Sequence, residues 1–198
     1  TPFIATLGIM SIARGLAYVT SNSSPVQVLD GMRVFARARF LELPLPIFLL
    51  FGTYLLSWVL LRFTLFGRYL YAIGGNETAT RLSGVRVGKY KALAYALSGL
   101  FAGLSALIVA GRVGWMAPQE GEGFELDVIA AVVIGGTSLY GGEGSIWGTF
   151  LGALIMGVVR NGLNLMGVDY NLQKIVIGSI ILIAVTVDVF ARRVSVRS

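Results

Sequence analysis

Six apolar runs spaced along a chain of 198 residues constrain this sequence more than any other feature. They cover Phe3 to Thr20, Leu45 to Leu61, Ala92 to Gly111, Phe124 to Leu139, Ile146 to Met166 and Leu172 to Val189. Most reach the roughly 17–25 residues that a helix needs to cross the hydrocarbon of a bilayer. The fourth has about 16 residues at most and stops at Gly135-Gly136, so it reads as a half-helix or re-entrant element. Such an element is allowed only where protein or a watery cavity covers its open end. Composition agrees: 56% of the residues are hydrophobic and 13% charged, against about 25% charged in a soluble domain. That apolar surplus is too large for one water-soluble core and has to face lipid. The expected fold is all-α, a polytopic transmembrane helical bundle of about six membrane segments, spanning residues 1–198 as a single domain. The chain opens on Thr1 and enters an apolar run almost at once, with no basic stretch and cleavage site before it. It therefore reads as a segment that begins inside a larger domain, not as a signal peptide.

What is missing excludes whole classes of chemistry. There is no cysteine and no histidine, so disulfides, thiolate metal sites, the commonest general base and the usual zinc ligand are absent. No catalytic residue and no metal site is expected. The run Gly135-Gly136-Thr137-Ser138-Leu139-Tyr140-Gly141-Gly142-Glu143-Gly144-Ser145 has no Lys followed by Ser or Thr after its last glycine, and no strand before it. It fails as a phosphate-binding loop. Gly135, Gly136, Gly141 and Gly142 better suit a bend or gate between two membrane helices. The net charge of +6 reads as topology rather than nucleic-acid binding, because Lys and Arg concentrate on the cytoplasmic side of membrane proteins.

Orientation follows from the loops. Between Gly67 and Lys91 lie Arg68, Arg81, Arg86, Lys89 and Lys91, against the single acid Glu77; the tail carries Arg192, Arg193 and Arg197. Both regions, and so both ends of the chain, are expected in the cytoplasm. Residues 21–44, 114–123 and 167–171 then face outward. Arg33, Arg37 and Arg39 in the first of these run against the bias.

Within the cytoplasmic loop, residues 74–91, Asn76 is a good N-cap, Glu77 suits the first turn, and Gly84 is a natural stop. A helix from Glu77 to Ser83 is predicted, fenced by glycines, with Ala79 and Leu82 on one face. It is either a docking knob for another protein or an ordinary capped loop helix. Gly99 with Gly103, and Gly148 with Gly152, are spaced for close helix packing.

Polar groups inside spans are costly. Arg14 lies in the first segment; Arg160, Asn161 and Asn164 lie in the outer half of the fifth. Their donors suit a polyhydroxylated ligand, and equally they suit snorkelling or bridging between helices. Glu125 and Asp127 open the fourth segment, where compensation of the helix dipole is the favoured role.

Several blocks taken in order resemble one family. They are Phe3-Ile4-Ala5-Thr6-Leu7-Gly8 with Ala13-Arg14-Gly15, then Gly67-Arg68-Tyr69-Leu70-Tyr71-Ala72-Ile73-Gly74-Gly75-Asn76-Glu77-Thr78-Ala79-Thr80-Arg81-Leu82-Ser83-Gly84. Glu125 through Leu139 and Asn161-Gly162-Leu163-Asn164-Leu165 complete the set. The chain is similar to the ribose-type branch of ABC importer permeases, the transmembrane subunits for monosaccharides. The resemblance implies a type II importer fold, a paired second permease subunit, and a cytoplasmic ATPase that uses ATP. It also implies an extracytoplasmic sugar-binding protein and a place in the bacterial inner membrane. It casts Asn76, Glu77, Ala79, Arg81, Leu82 and Gly84 as the ATPase-coupling element. It casts Arg14, Arg160, Asn161 and Asn164 as pathway residues. The family carries further helices upstream of Phe3. This chain itself is expected to bind no cofactor. A related system for a furanosyl signalling molecule, a stand-alone channel or secondary transporter, and a non-transporting subunit are the alternatives.

Overall fold

The computed structural model describes the backbone of residues 2–139 and 141–195 and the side chains of residues 4–139 and 141–186. The side chains of Phe3, Tyr140, Asp188, Arg192 and Arg193, and Arg197 altogether, lie outside the described residues. Helix dominates, as the apolar runs predict. The helices are α1 (Pro2–Thr20), α2 (Asp30–Arg37), α3 (Leu45–Phe63), α4 (Leu65–Gly75), α5 (Glu77–Leu82), α6 (Val87–Val113), α7 (Phe124–Ile134), α8 (Ile146–Leu165) and α9 (Tyr170–Ser195). Among the described residues, α3, α6 and α8 are long and apolar enough to cross a membrane, with mean hydropathies of 1.7, 2.0 and 1.3. Ile4–Thr20 and Tyr170–Thr186 are shorter apolar helices. In the apolar stretches of α3 and α6 no residue is buried within the chain. These surfaces are left for lipid or for other protein.

The chain divides into two compact units. One comprises residues 1–53 with 95–122, and the other residues 54–94 with 123–198. In the first, two short strands, β1 (Val26–Gln27) and β4 (Trp115–Met116), pair antiparallel and tie the segment after α1 to the segment after α6. A second pair, β2 (Arg39–Phe40) and β3 (Leu43–Pro44), forms a hairpin. Its two-residue turn, Leu41-Glu42, has φ of 51° and 64°. Positive φ at both positions matches the right-handed strand twist. Leu-Glu is an unusual choice there, and nothing in the sequence announces it.

Helix α2 is also unannounced, since residues 30–37 read as a polar loop. Its Ala36 packs where a Cβ on Gly111 of α6 would lie, 2.5 Å away, so only glycine lets the two helices meet. Arg33 on α2 hydrogen-bonds to the Gly114 carbonyl at 3.4 Å and lies 3.5 Å from the Asp30 carboxylate. A local anchoring role accounts for at least one of the three arginines that oppose the topological bias.

In the second unit, α7 is short, as expected: 11 residues, or about 16 Å, half of a roughly 30 Å hydrocarbon layer. Its end is chemically explicit. Gly136 adopts φ 79°, its N–H donates to Val133 O, and the Thr137 N–H donates to Val132 O. This pair of bonds is the Schellman stop that a left-handed glycine permits. The small core lies where α7 meets α8 and α9, around Ala130, Ala131, Met156 and Ile177. Gly148 and Gly152 of α8 face the carbonyl oxygens of Gly135 and Ala131, with no room for a Cβ at either. The spacing of these two glycines is a packing signal. Gly99 and Gly103 carry the same spacing, yet a Cβ on either would meet nothing within 4 Å, so among the described residues they make no close helix contact.

Candidate functional site

The candidate site is built on the segment from α4 to the first residues of α6 and on the joint between α7 and α8, all in the second unit. Residues 67–75 read in the sequence as part of the connection between two spans. They form α4, because the Thr64 hydroxyl caps the helix by accepting from the Gly67 N–H at 3.5 Å. Asn76 then ends α4 and caps α5. Its Oδ1 accepts from the Ala79 N–H at 2.9 Å. Helix α5 stops at Leu82, one residue before the predicted end, and Gly84 takes φ 82°. The Gly84 and Val85 N–H groups donate to Arg81 O and Thr80 O, the same stop as on α7.

Thr80 faces inward at 8% exposure, while Leu82 stands 84% exposed and Ala79 is exposed beside it. The predicted apolar edge of α5 therefore points away from the chain. Glu77 holds the helix to its neighbour: its carboxylate accepts from Lys91 Nζ of α6 at 2.5 Å and from Arg81 Nη2 at 2.8 Å. The hydrogen bond from Lys91, followed by the attraction of both cations, holds the Glu77 carboxyl below the usual carboxylate range.

The base of α5 is keyed to the α7–α8 joint. A Cβ on Gly141 would sit 3.0 Å from the Gly74 carbonyl oxygen, and a Cβ on Gly142 would sit 3.0 Å from the Gly75 Cα. A Cβ on Gly74 would strike the Gly142 amide nitrogen. The two backbones touch because neither side carries a side chain. Gly141 and Gly142 also take φ of 91° and 79°. The Tyr71 hydroxyl adds a directional tie, donating to the Gly144 carbonyl at 3.1 Å. Beside this joint lies a cavity of about 310 Å³ lined by Tyr71, Gly74, Thr137, Ser138, Gly142 and Thr149 among others.

The polar residues of the spans all have specific positions. Arg160 of α8 pairs with Asp127 of α7 at 2.6 Å and lies over the Phe124 ring, 5.3 Å from its centre. Asp127 is therefore more than a compensator of the α7 dipole. It is the counter-ion of Arg160 and ties the half-helix to α8. Asn164 Oδ1 accepts from Gln173 Nε2 of α9 at 2.8 Å, which is the bridging role. Asn161 is exposed. Arg14, in the first unit, lies 3.6 Å from the Glu122 carboxylate. Neither predicted arginine stands unpaired.

Gln173, absent from the residues the sequence singles out, is 6% exposed and also donates to Val168 O. An amide at the start of an apolar run is the signal the sequence offers. Among the described residues no cluster of side chains could hold a metal ion.

A chain of apolar helices with a half-helix, an ion pair joining α7 to α8 and a capped helix outside the long apolar helices is a polytopic helical membrane protein. Residues 1–185 match the family described as branched-chain amino acid transport system, permease component, and the chain belongs to that family. It is 48% identical over 191 residues to the ribose import permease protein RbsC of Escherichia coli K12, covering 94% of this chain and 60% of that protein. It is 47% identical over 190 residues to RbsC of Bacillus subtilis 168, covering 94% and 59%. It is 40% identical over 191 residues to the L-arabinose transport system permease protein AraH of Escherichia coli K12, covering 96% and 58%. The chain thus spans about 60% of the length of the curated relatives it matches. No solved structure matches it.

Proposed function

We propose that this chain is part of the permease subunit of an ATP-driven importer for a monosaccharide, a pentose or hexose of the ribose type, in the bacterial inner membrane. The relatives named for ribose and L-arabinose support the cargo class. The observation that carries the mechanism is α5, a helix capped at both ends with its apolar edge exposed, standing between two apolar helices. The chain has no phosphate-binding loop, so the driving energy arrives through contact. A cytoplasmic ATPase grips α5, and ATP binding and hydrolysis on that partner move it. A second permease subunit completes the pathway, an extracytoplasmic sugar-binding protein delivers the cargo, and both ends of this segment lie in the cytoplasm.

Arg14, Arg160 and Asn164 have structural partners in this chain. Asn161, exposed on α8, is the pathway residue with the clearest access, and Arg160 contributes the guanidinium face that Asp127 leaves free. The decisive experiment expresses the full-length subunit with its neighbouring ATPase and measures both co-purification and uptake of labelled ribose against other sugars. Recovery of the ATPase with saturable, ATP-dependent ribose uptake supports the reading. A subunit that recovers no ATPase, or that conducts sugar without ATP, overturns it.

A further inference from the structure

The α5–α6 connection holds a second cavity, of about 340 Å³, lined by Tyr69, Ser83, Gly84, Arg86, Lys89 and Tyr90 together with Val85. Among the described residues the cationic side chains in its wall pair with no carboxylate. Between Gly67 and Lys91 the only acid is Glu77, and its two oxygens are taken by Arg81 and Lys91. Among the described residues Arg86 and Lys89 have no ion-pair partner. Two like charges share one concave site, an arrangement that favours a bound anion.

We propose that this cavity binds the phosphate of an anionic phospholipid headgroup. A phosphate takes a planar fork from Arg86 and a point charge from Lys89. The depth of the site along α6 argues for a lipid as the source. Helix α6 has 27 residues, about 40 Å, close to the roughly 40–45 Å of a bilayer with its headgroup layers. Arg86 and Lys89 stand at one end of it, at headgroup level, with Arg112 at the other end. The cavity wall is aromatic in the manner of a membrane interface. Tyr69 and Tyr90 lie 4.8 Å apart edge to face, with Phe66 6.3 Å from Tyr90. A carboxylate on a soluble partner needs no such wall. Because the site abuts the Gly84 turn that joins α5 to α6, a bound headgroup bridges Ser83-Gly84 and Lys89 and stiffens that connection. The inference rests on α6 crossing the bilayer, and not on the identity of the cargo.

The test uses the full-length subunit with its ATPase in nanodiscs of phosphatidylcholine, with or without phosphatidylglycerol. Native mass spectrometry reads retained lipid. The wild type should retain phosphatidylglycerol. Arg86→Gln with Lys89→Gln should weaken retention roughly thirtyfold, about fivefold for each cation near the surface. Exchange of the two charges, Arg86→Lys with Lys89→Arg, should restore most of it. Arg68→Gln, at an exposed cation outside the cavity, should leave it unchanged. Equal loss with Arg68→Gln would reduce the effect to general attraction and overturn the proposal. So would saturation of the site by millimolar inorganic phosphate with no lipid retained. A Gln pair that keeps its lipid but loses the ATPase would make the cavity a protein interface instead, and ribose uptake plays no part in any of these readouts.

Discussion

Gly74 and Gly142 meet backbone to backbone, so that a Cβ on Gly74 would fall on the amide nitrogen of Gly142. The contact joins the last turn of α4, which leads into α5, to the joint where α7 stops and α8 begins. A rigid, side-chain-free junction passes a displacement on instead of absorbing it in rotamers. Gly74→Ala forces the backbones apart, at about 1–3 kcal/mol. The variant should still recover the ATPase while ATP hydrolysis and sugar uptake lose their coupling. Measuring hydrolysis and uptake on the same reconstituted sample checks this, and unchanged coupling sinks the transmission role.

Ala79→Asp tests α5 itself. A charge on its exposed apolar edge is harmless in water and costs several kcal/mol if the edge is desolvated in a partner's groove unpaired. The variant should insert normally, hold the ATPase weakly and lose uptake. Normal assembly and transport would show that the edge meets no partner.

Removing one member of the Asp127–Arg160 pair leaves a charge in a low-dielectric site. A fully buried pair loses about 3–5 kcal/mol this way. The Arg160 and Asp127 side chains keep 31% and 19% exposure, so Asp127→Asn or Arg160→Met should each cost on the order of 2 kcal/mol. The double variant should cost less than the sum of the two. Thermal unfolding in detergent measures all three, and simple additivity argues against a functional pair.

Gly152→Leu should abolish stable folding, because the new side chain would collide with the Ala131 carbonyl and the Gly135 nitrogen of α7. Detergent-stable yield is the readout. A normal yield would mean that α7 and α8 do not pack as described.

Glu77 has its carboxyl pKa lowered in the folded chain, so the clamp between α5 and α6 stabilises wherever the unfolded carboxyl is already ionised. That contribution is present above the ordinary carboxylate range and disappears as pH falls through the lower folded value. Hydrogen exchange across residues 76–84, taken relative to the intrinsic amide rate at each pH, should be flat from neutral pH down to about 5 and rise below it. Glu77→Gln should raise it at neutral pH. Identical exchange in the two proteins at pH 7 would remove the clamp.

The membrane helices, the short α7 and the capped α5 are legible in the sequence because their causes are local. Apolar run length decides whether a helix can span, Asn76 supplies its own cap, and Gly84 and Gly136 supply left-handed stops a few residues away. Helices α2 and α4 were not legible. The polar stretch of α2 looks like a loop until Gly111 admits it against α6, and the short apolar run of α4 carries three glycines and ends in Gly74-Gly75, so only the Thr64 cap shows where it starts. The partners of the polar residues were equally hidden. Nothing adjacent to Arg160 names Asp127, nothing adjacent to Asn164 names Gln173, and Gly148 reads like Gly99 although only Gly148 touches another helix here. The sequence by itself determined which segments are helical and apolar, since hydropathy and capping act within a turn or two of the chain. Tertiary structure alone decided which carboxylate neutralises which cation and which glycines touch, because those energies exist only once distant backbones have approached.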